Sequence, residues 1–412
     1  MKRLLVPSAA LLWGLQFAFL NPALAFLLVA LFNATPQDVG WVLAVYNASG
    51  FVASLLVPAY ADRTQNYLRP LLACGALTLA LAGLLALSTS LPVAVVGLIT
   101  LGGPAGVGSS LLFAHLKHSG AAPSDVMNTR AIVSFAWVAG PPLATFIMGT
   151  LGSRAILPAL AAVALLNVAT TAAMMARRRA TAVADASAMS ADGDAPEGGG
   201  TGATVPAASE VAAGRRLVAA TVIGFIALQA TNSAAVSVMG LFVTENLGLD
   251  VTWAGIVLGI SAALEIPALL LMGRLTRRFP SRALIMSGCL AGAAYYAAMA
   301  FAADPIALIA LQLLNAWFFA VVAGVGLTLF QEIIPRPGLA SGLYTNTRRL
   351  GAIVSGPVIG FGSMTAFGYR GAFAACACLA LLALAVISTS ASRPGLKRSR
   401  PAETVPAAAP GR

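Results

Sequence analysis

Charge is what this chain has least of. Of its 412 residues only 9% are Asp, Glu, Lys or Arg, and only 14 are acidic, whereas a soluble domain carries about 25% charged residues. So little polar surface cannot cover a water-facing protein of this size, which excludes a soluble enzyme or binding domain. Cysteine is scarce as well. Cys74, Cys289, Cys376 and Cys378 all lie inside apolar runs, so neither a disulfide framework nor a metal cluster is expected. The two histidines, His115 and His118, read as a solvated helix end. The H-E-x-x-H, G-x-S-x-G and Walker-type phosphate-loop patterns are absent. An ATP-driven pump or a membrane hydrolase would therefore lack its machinery, and no catalytic residue, cofactor or metal site is expected. Strict alternation of apolar and polar residues is missing too, which excludes a porin-type barrel.

What the sequence does hold is apolar length. Apolar residues make up 59% of the chain and the mean hydropathy is +0.87. A bilayer-spanning helix needs about 20 such residues. Cutting at breakers gives twelve spans: 8–31, 39–60, 69–88, 91–114, 127–150, 154–176, 216–243, 251–272, 282–302, 305–331, 341–363 and 369–391. The expected fold class is an all-α membrane protein of two six-helix bundles, 1–176 and 215–391. Between them, 177–214 lacks aromatic residues and is rich in Ala, Gly, Ser and Asp, which predicts a flexible linker. The basic, Pro/Ala-rich tail 392–412 is expected to be disordered. Lys2-Arg3, the following apolar run and Ala23-Leu24-Ala25 imitate a cleavable signal. The apolar sequence continues to Phe32, however, and the segment belongs to an internal repeat.

That repeat relates the two halves. Leu15-Gln16 matches Leu228-Gln229, and Asp38-Val39-x-Trp41 matches Asp250-Val251-x-Trp253. Further on, Ala105-Gly106-Val107-Gly108 matches Ala323-Gly324-Val325-Gly326, and Asn128-Thr129-Arg130 matches Asn346-Thr347-Arg348. Gly140-Pro141 matches Gly356-Pro357, and Gly152-x-Arg154 matches Gly368-x-Arg370. The matches keep one order and are separated by 212 to 218 positions. Six is even, so both halves take the same orientation about an axis along the membrane normal, an arrangement found in secondary transporters.

The charges that remain follow the topology. With the N-terminus inside, all of the 25 Lys and Arg residues except Arg154 and Arg370 fall at cytoplasmic ends. Both termini are therefore expected on the cytoplasmic side. The formal net charge of +11 is then a matter of orientation, and no nucleic-acid partner is implied.

Inside the spans one acid stands out. Glu265, in Ala263-Leu264-Glu265-Ile266-Pro267, is the acid set well within a span, and its repeat counterpart is Ala53. Intramembrane carboxylates are costly, and one in this setting can load and release a proton, so Glu265 is the candidate proton-coupling residue. Neutral polar residues at mid-depth form the candidate substrate site: Gln16, Asn21, Tyr46, Asn47, Gln229, Asn232, Gln312 and Asn315, with Trp137 and Trp317 to lie against a sugar ring. Inter-helix hydrogen bonding is the competing explanation for each amide, and plain packing for each Trp. Gly140, Pro141, Gly356 and Pro357 are expected to bend helices five and eleven; with Asp62, Arg63, Arg130 and Arg348 they form the gating or structural set.

Several stretches resemble the bacterial sugar efflux transporter family of the major facilitator superfamily. They are Trp137-Val138-Ala139-Gly140-Pro141-Pro142-Leu143, Leu264-Glu265-Ile266-Pro267-Ala268, Leu311-Gln312-Leu313-Leu314-Asn315-Ala316, Val322-Ala323-Gly324-Val325-Gly326, and Phe330-Gln331-Glu332 through Thr345-Asn346. The resemblance implies a secondary transporter with small-molecule sugar or glycoside substrates and protons as its partners, working as a monomer in the lipid bilayer of the bacterial inner membrane. It covers the whole chain but departs from the superfamily pattern in the loop between helices two and three. That loop keeps Asp62-Arg63 and has Gln65 where the superfamily has glycine. Proton-coupled efflux of drugs or other amphiphiles is the alternative, and Gly102 stands where proton-driven drug exporters usually carry an arginine. A non-transporting receptor on the same fold is the reading from another class. The charge asymmetry makes a direct prediction: cysteines placed at Ser187 and Ser399 stay unlabelled when a membrane-impermeant thiol reagent is added to intact cells, and labelling from outside would reverse the topology.

Overall fold

A computed structural model of the chain describes residues 5–119, 123–189, 210–334 and 337–389. Among these residues all regular structure is helical. Twelve passes follow one another: α1 (Leu5–Phe32), α2 (Pro36–Thr64), α3 (Leu68–Leu87), α4 (Leu91–Gly97 continuing in segments to Gly108–His118), α5 (Pro123–Leu151) and α6 (Ile156–Met189) in the first half. The second half has α7 (Glu210–Leu241, prolonged by Phe242–Asn246), α8 (Thr252–Leu275), α9 (Ser281–Phe301), α10 (Pro305–Ala320 continuing to Gly326–Ile333), α11 (Pro337–Ser363) and α12 (Tyr369–Thr389). Eleven of them are long and apolar enough to cross a membrane. The twelfth, α11, has 27 residues and ample length at about 1.5 Å per residue, but its apolar content is diluted by the run Tyr344 to Arg349.

The expected linker needs correction. α6 runs past 176 to Met189 and α7 starts at Glu210, so the stretch 177–214 is helical at both ends. Alanine-rich sequence prolongs a helix at little cost, and Ala180, Ala182, Ala184 and Ala186 supply it. Residues 190–209 and the tail 392–412 lie outside the described residues.

An even number of passes puts both chain ends and the central connection on one side, here the termini side; the other is the distal side. Three of the helices that start from the distal side, α2, α8 and α10, are capped by acids found there. Thr35 and Asp38 form a reciprocal capping box on α2, Asp250 Oδ1 accepts from the Thr252 amide at 2.8 Å, and Asp304 accepts from the Ala307 amide at 2.9 Å. Each satisfies an N–H that the first helical turn leaves without a partner. Hydrogen bonding from Thr252, side chain and backbone, holds the Asp250 carboxyl below the usual Asp value. The repeated Asp-Val-x-Trp motif thus marks two helix starts.

Helix pairing repeats itself as the sequence does. α1 packs on α5 as α7 does on α11, α3 on α6 as α9 on α12, and α2 on α4 as α8 on α10. The halves meet through α2 with α11, α5 with α8, and α1 with α7. Small residues bring these backbones together, as is usual between helices in lipid. A Cβ on Gly40 would stand 2.7 Å from the Gly360 amide nitrogen, and one on Gly255 would stand 2.6 Å from the Pro141 carbonyl oxygen. Pro142 has no N–H to offer the Val138 carbonyl, and Gly259 comes up against that oxygen, where a Cβ would lie 2.9 Å away. Gly356 packs against Gly40 and Ala44, while Pro357 lies beside Gln37 and Trp41. Gly140 abuts Ala18, which sets the α1–α5 spacing within the first half. Replacing Gly255 or Gly356 with Leu should push the distal ends apart, since overpacking a tight contact costs about 1–3 kcal/mol. Both variants should be inserted and show raised reactivity of a distal-side cysteine probe at Thr145; unchanged reactivity would show that these glycines do not hold the distal ends together.

Candidate transport cleft

The contacts between halves gather on the distal side. A hydrogen bond between the halves runs from Asn47 Nδ2 to the Ala352 carbonyl at 3.0 Å. Helix periodicity shows what faces the space beyond it. On α5, Val133, Ala136 and Gly140 touch α1, and Val138, Pro142 and Thr145 meet α8. Two strips lie between these contact lines. One carries Ile132, Phe135, Ala139 and Phe146, with Phe135 61% and Phe146 56% exposed, which suits lipid. The apolar groove formed by Pro7, Leu11, Ile132 and Phe135 belongs to that bilayer side. The other strip carries Arg130, Ser134 and Trp137 at spacings of four and three, and it faces the cleft.

The same reasoning places two charges of the second half. Glu265 lies on α8 between Gly255 and Gly259, which meet α5, and Ser261, which bonds α10; it is half-buried. The opposite strip of α8 holds exposed apolar residues such as Leu270. Arg348 lies on α11 between Ala352 and Gly356, which meet α2, and Gly351, which meets Gln229 on α7; it is exposed. The strip across from it carries Leu339, Phe361 and Met364, all exposed and apolar. Arg130, the repeat counterpart of Arg348, stands 5.8 Å from the centre of the Phe113 ring.

The amides divide into two groups. Gln16 turns inward: its Nε2 donates to Thr78 Oγ1 at 2.8 Å, and its Oε1 accepts from Asn167 Nδ2 at 2.9 Å. This network ties α1, α3 and α6 together inside the first half. Gln312 is fully buried, donating to the Leu308 carbonyl and accepting from Asn315, which also donates to Ser261 Oγ at 2.8 Å. Gln312 and Asn315 therefore do share one helix face, and that face joins α10 to α8. Gln229 is buried against Gly351, Tyr46 against Gly102, and Trp317 donates to Ser287 on α9. Asn21, Asn232 and Trp137 are half-buried, with no hydrogen bond to another described residue. They are the amides and ring still able to meet a solute.

At the termini side Asp62 accepts from the Tyr67 hydroxyl at 2.7 Å and Arg63 is exposed. Gln65, at the position of the missing glycine, caps α2 with a φ of 50°. Tyr67 also stacks on His118, with ring centres 5.2 Å apart.

Three features went unread in the sequence. α4 and α10 each contain a π turn, Leu98–Gly102 and Val321–Val325, of the kind that often accompanies function. Neighbouring hydroxyls bond carbonyls in both: Ser49 donates to Ile99, and Tyr344 to Val322 and Ala323. The glycine clusters Gly102-Gly103 and Gly324-x-Gly326 were the available signal. Asn167, wholly buried in α6, was legible as an amide in an apolar run.

A twelve-helix bundle in two repeated halves, joined at one end and lined by polar residues at the other, is the architecture of a membrane transporter. The Major Facilitator Superfamily profile matches residues 8–355 and 221–411, and the chain belongs to this superfamily. It is similar to the putative sugar efflux transporter of Deinococcus radiodurans, with 32% identity over 94% of this chain and 97% of that protein. Sugar efflux transporter A of Escherichia coli is 28% identical over 85% of this chain and 86% of its own length. Among solved structures, a nucleoside transporter superposes with a TM-score of 0.74 at 14% identity, covering 95% of this chain and 99% of that one. A D-xylose–proton symporter gives 0.69 at 16%, covering 93% and 96%. These likenesses establish the fold, and the superfamily is one of transporters, not enzymes.

The inward-turned Gln16 generates a test. Gln16→Leu leaves the Asn167 amide without its acceptor and should cost about 1–2 kcal/mol. The thermal unfolding midpoint in detergent should fall while substrate affinity is kept; a loss of affinity at unchanged stability would return Gln16 to the cleft.

Proposed function

We propose that this chain exports neutral sugars or glycosides from the bacterial cytoplasm in exchange for protons, by alternating access of one central cleft. The termini side is the cytoplasmic side in this reading, as the Lys and Arg distribution requires. The bundles 1–176 and 215–391 rock against each other as units, and one copy of the chain suffices. The observation that carries the reading is Glu265, an acid on a cleft-facing strip with a repeat counterpart, Ala53, that cannot ionise. The names of the relatives support a sugar as cargo. So does the chemistry of Asn21 and Asn232, which offer donors and acceptors without charge to a polyhydroxylated solute, with Trp137 available to its flatter face.

In the cycle, Glu265 gives its proton to cytoplasmic water as sugar enters the inward-facing cleft. Once the distal ends part, sugar leaves and the carboxylate takes a proton from outside. Glu265→Gln imitates the permanently protonated acid. In inverted membrane vesicles it should exchange labelled sugar at a rate comparable to wild type, yet fail to accumulate it when a pH gradient is imposed. Wild-type accumulation by this variant would remove Glu265 from coupling.

A further inference from the structure

Resting on the reading of Glu265 as the proton carrier, we infer that Arg348 is its positioning partner, a cation held across the cleft that favours the charged carboxylate. Depth is the first support. The Asn47–Ala352 bond marks a level, and by the repeat spacing of 212 positions Asn47 corresponds to Gly259 on α8. Arg348 stands one turn from Ala352 toward the termini side, and Glu265 a little under two turns from Gly259 in the same direction. The two side chains thus project from facing walls of the second half at nearly one height. Neither residue makes a hydrogen bond or ion pair to another described residue.

Other charged groups near this space have places of their own: Asp125, exposed at the start of α5, lies more than a turn beyond Arg130 toward the termini side. On α5, Arg130 lies over Phe113. On α10, Glu332 accepts from Ser281 at 2.7 Å. On α9, Arg282 donates to the Ile387 and Ser388 carbonyls, both at 2.7 Å. On α11, Tyr344 bonds the α10 backbone, and Arg349 projects on the strip that meets α2. Arg274, Arg277 and Arg278 stand at the termini-side end of α8, two turns or more beyond Glu265. Arg348 is left as the cation facing the acid. The repeat sharpens this: both halves keep the arginine, but Arg130 has an aromatic ring for a neighbour, and the first half has Ala53 where the second has Glu265.

A cation facing a carboxyl group favours its ionised form. Removing it should therefore let Glu265 keep its proton to higher pH, and the pH midpoint of sugar export should rise. The experiment measures export against cytoplasmic-side pH in vesicles. Arg348→Gln and Arg348→Ala should each raise the midpoint by about one unit or more, Arg348→Lys should stay near wild type, and Arg349→Gln should not move it. If the glutamine variant fails to insert, the alanine variant decides. A midpoint unmoved in the neutral Arg348 variants, or moved equally by Arg349→Gln, overturns the pairing. The two readings fail differently: a wild-type midpoint that Glu265→Gln leaves intact sinks the proton role of Glu265 and the pairing with it, whereas a midpoint abolished by Glu265→Gln but indifferent to Arg348 sinks only the pairing.

Discussion

Every peptide group in this chain that sits at bilayer depth must find its hydrogen-bond partner within the protein, because lipid offers none. The helices meet most of that demand themselves. Where they depart from the α pattern, a neighbouring helix answers: Ser49 reaches the π turn of α4 and Tyr344 that of α10. At the distal ends, where helices begin in open surroundings, Asp38, Asp250 and Asp304 cap the free amides. Three of the scarce acids are thus helix caps, whereas Glu265 lies in the middle of its helix.

Backbone self-sufficiency also shapes how the halves touch. Without a hydrophobic force between apolar helices in lipid, close packing of small residues holds them. The glycines of α2, α8 and α11 supply it on the distal side, opposite Pro141 and Pro142 of α5. Where glycine lets backbone meet backbone, little side-chain bulk has to be repacked when the joint opens. Such a joint suits two rigid halves that part and rejoin.

The halves are alike in pairing and unlike in their polar chemistry. In the first, Gln16, Thr78 and Asn167 form an internal network. In the second, Asn315 bridges Ser261 and Gln312, while Glu265 and Arg348 remain on the cleft walls. A duplication that keeps helix contacts but diverges in a few polar residues lets two similar bundles carry different chemistry.

The number of passes, the repeat and the charge bias were legible in the sequence, because each shows in short stretches of it: about twenty apolar residues make a span. The polar residues were legible as a set but not in their roles. Gln16 and Asn21 belong to the same helix and the same chemical class, yet one is bonded 62 and 151 positions away and the other is left toward the cleft. Amide chemistry permits either arrangement. Only the packing of α1 against α3 and α6 selected between them, because a hydrogen bond across helices depends on rotation and depth that no local pattern encodes.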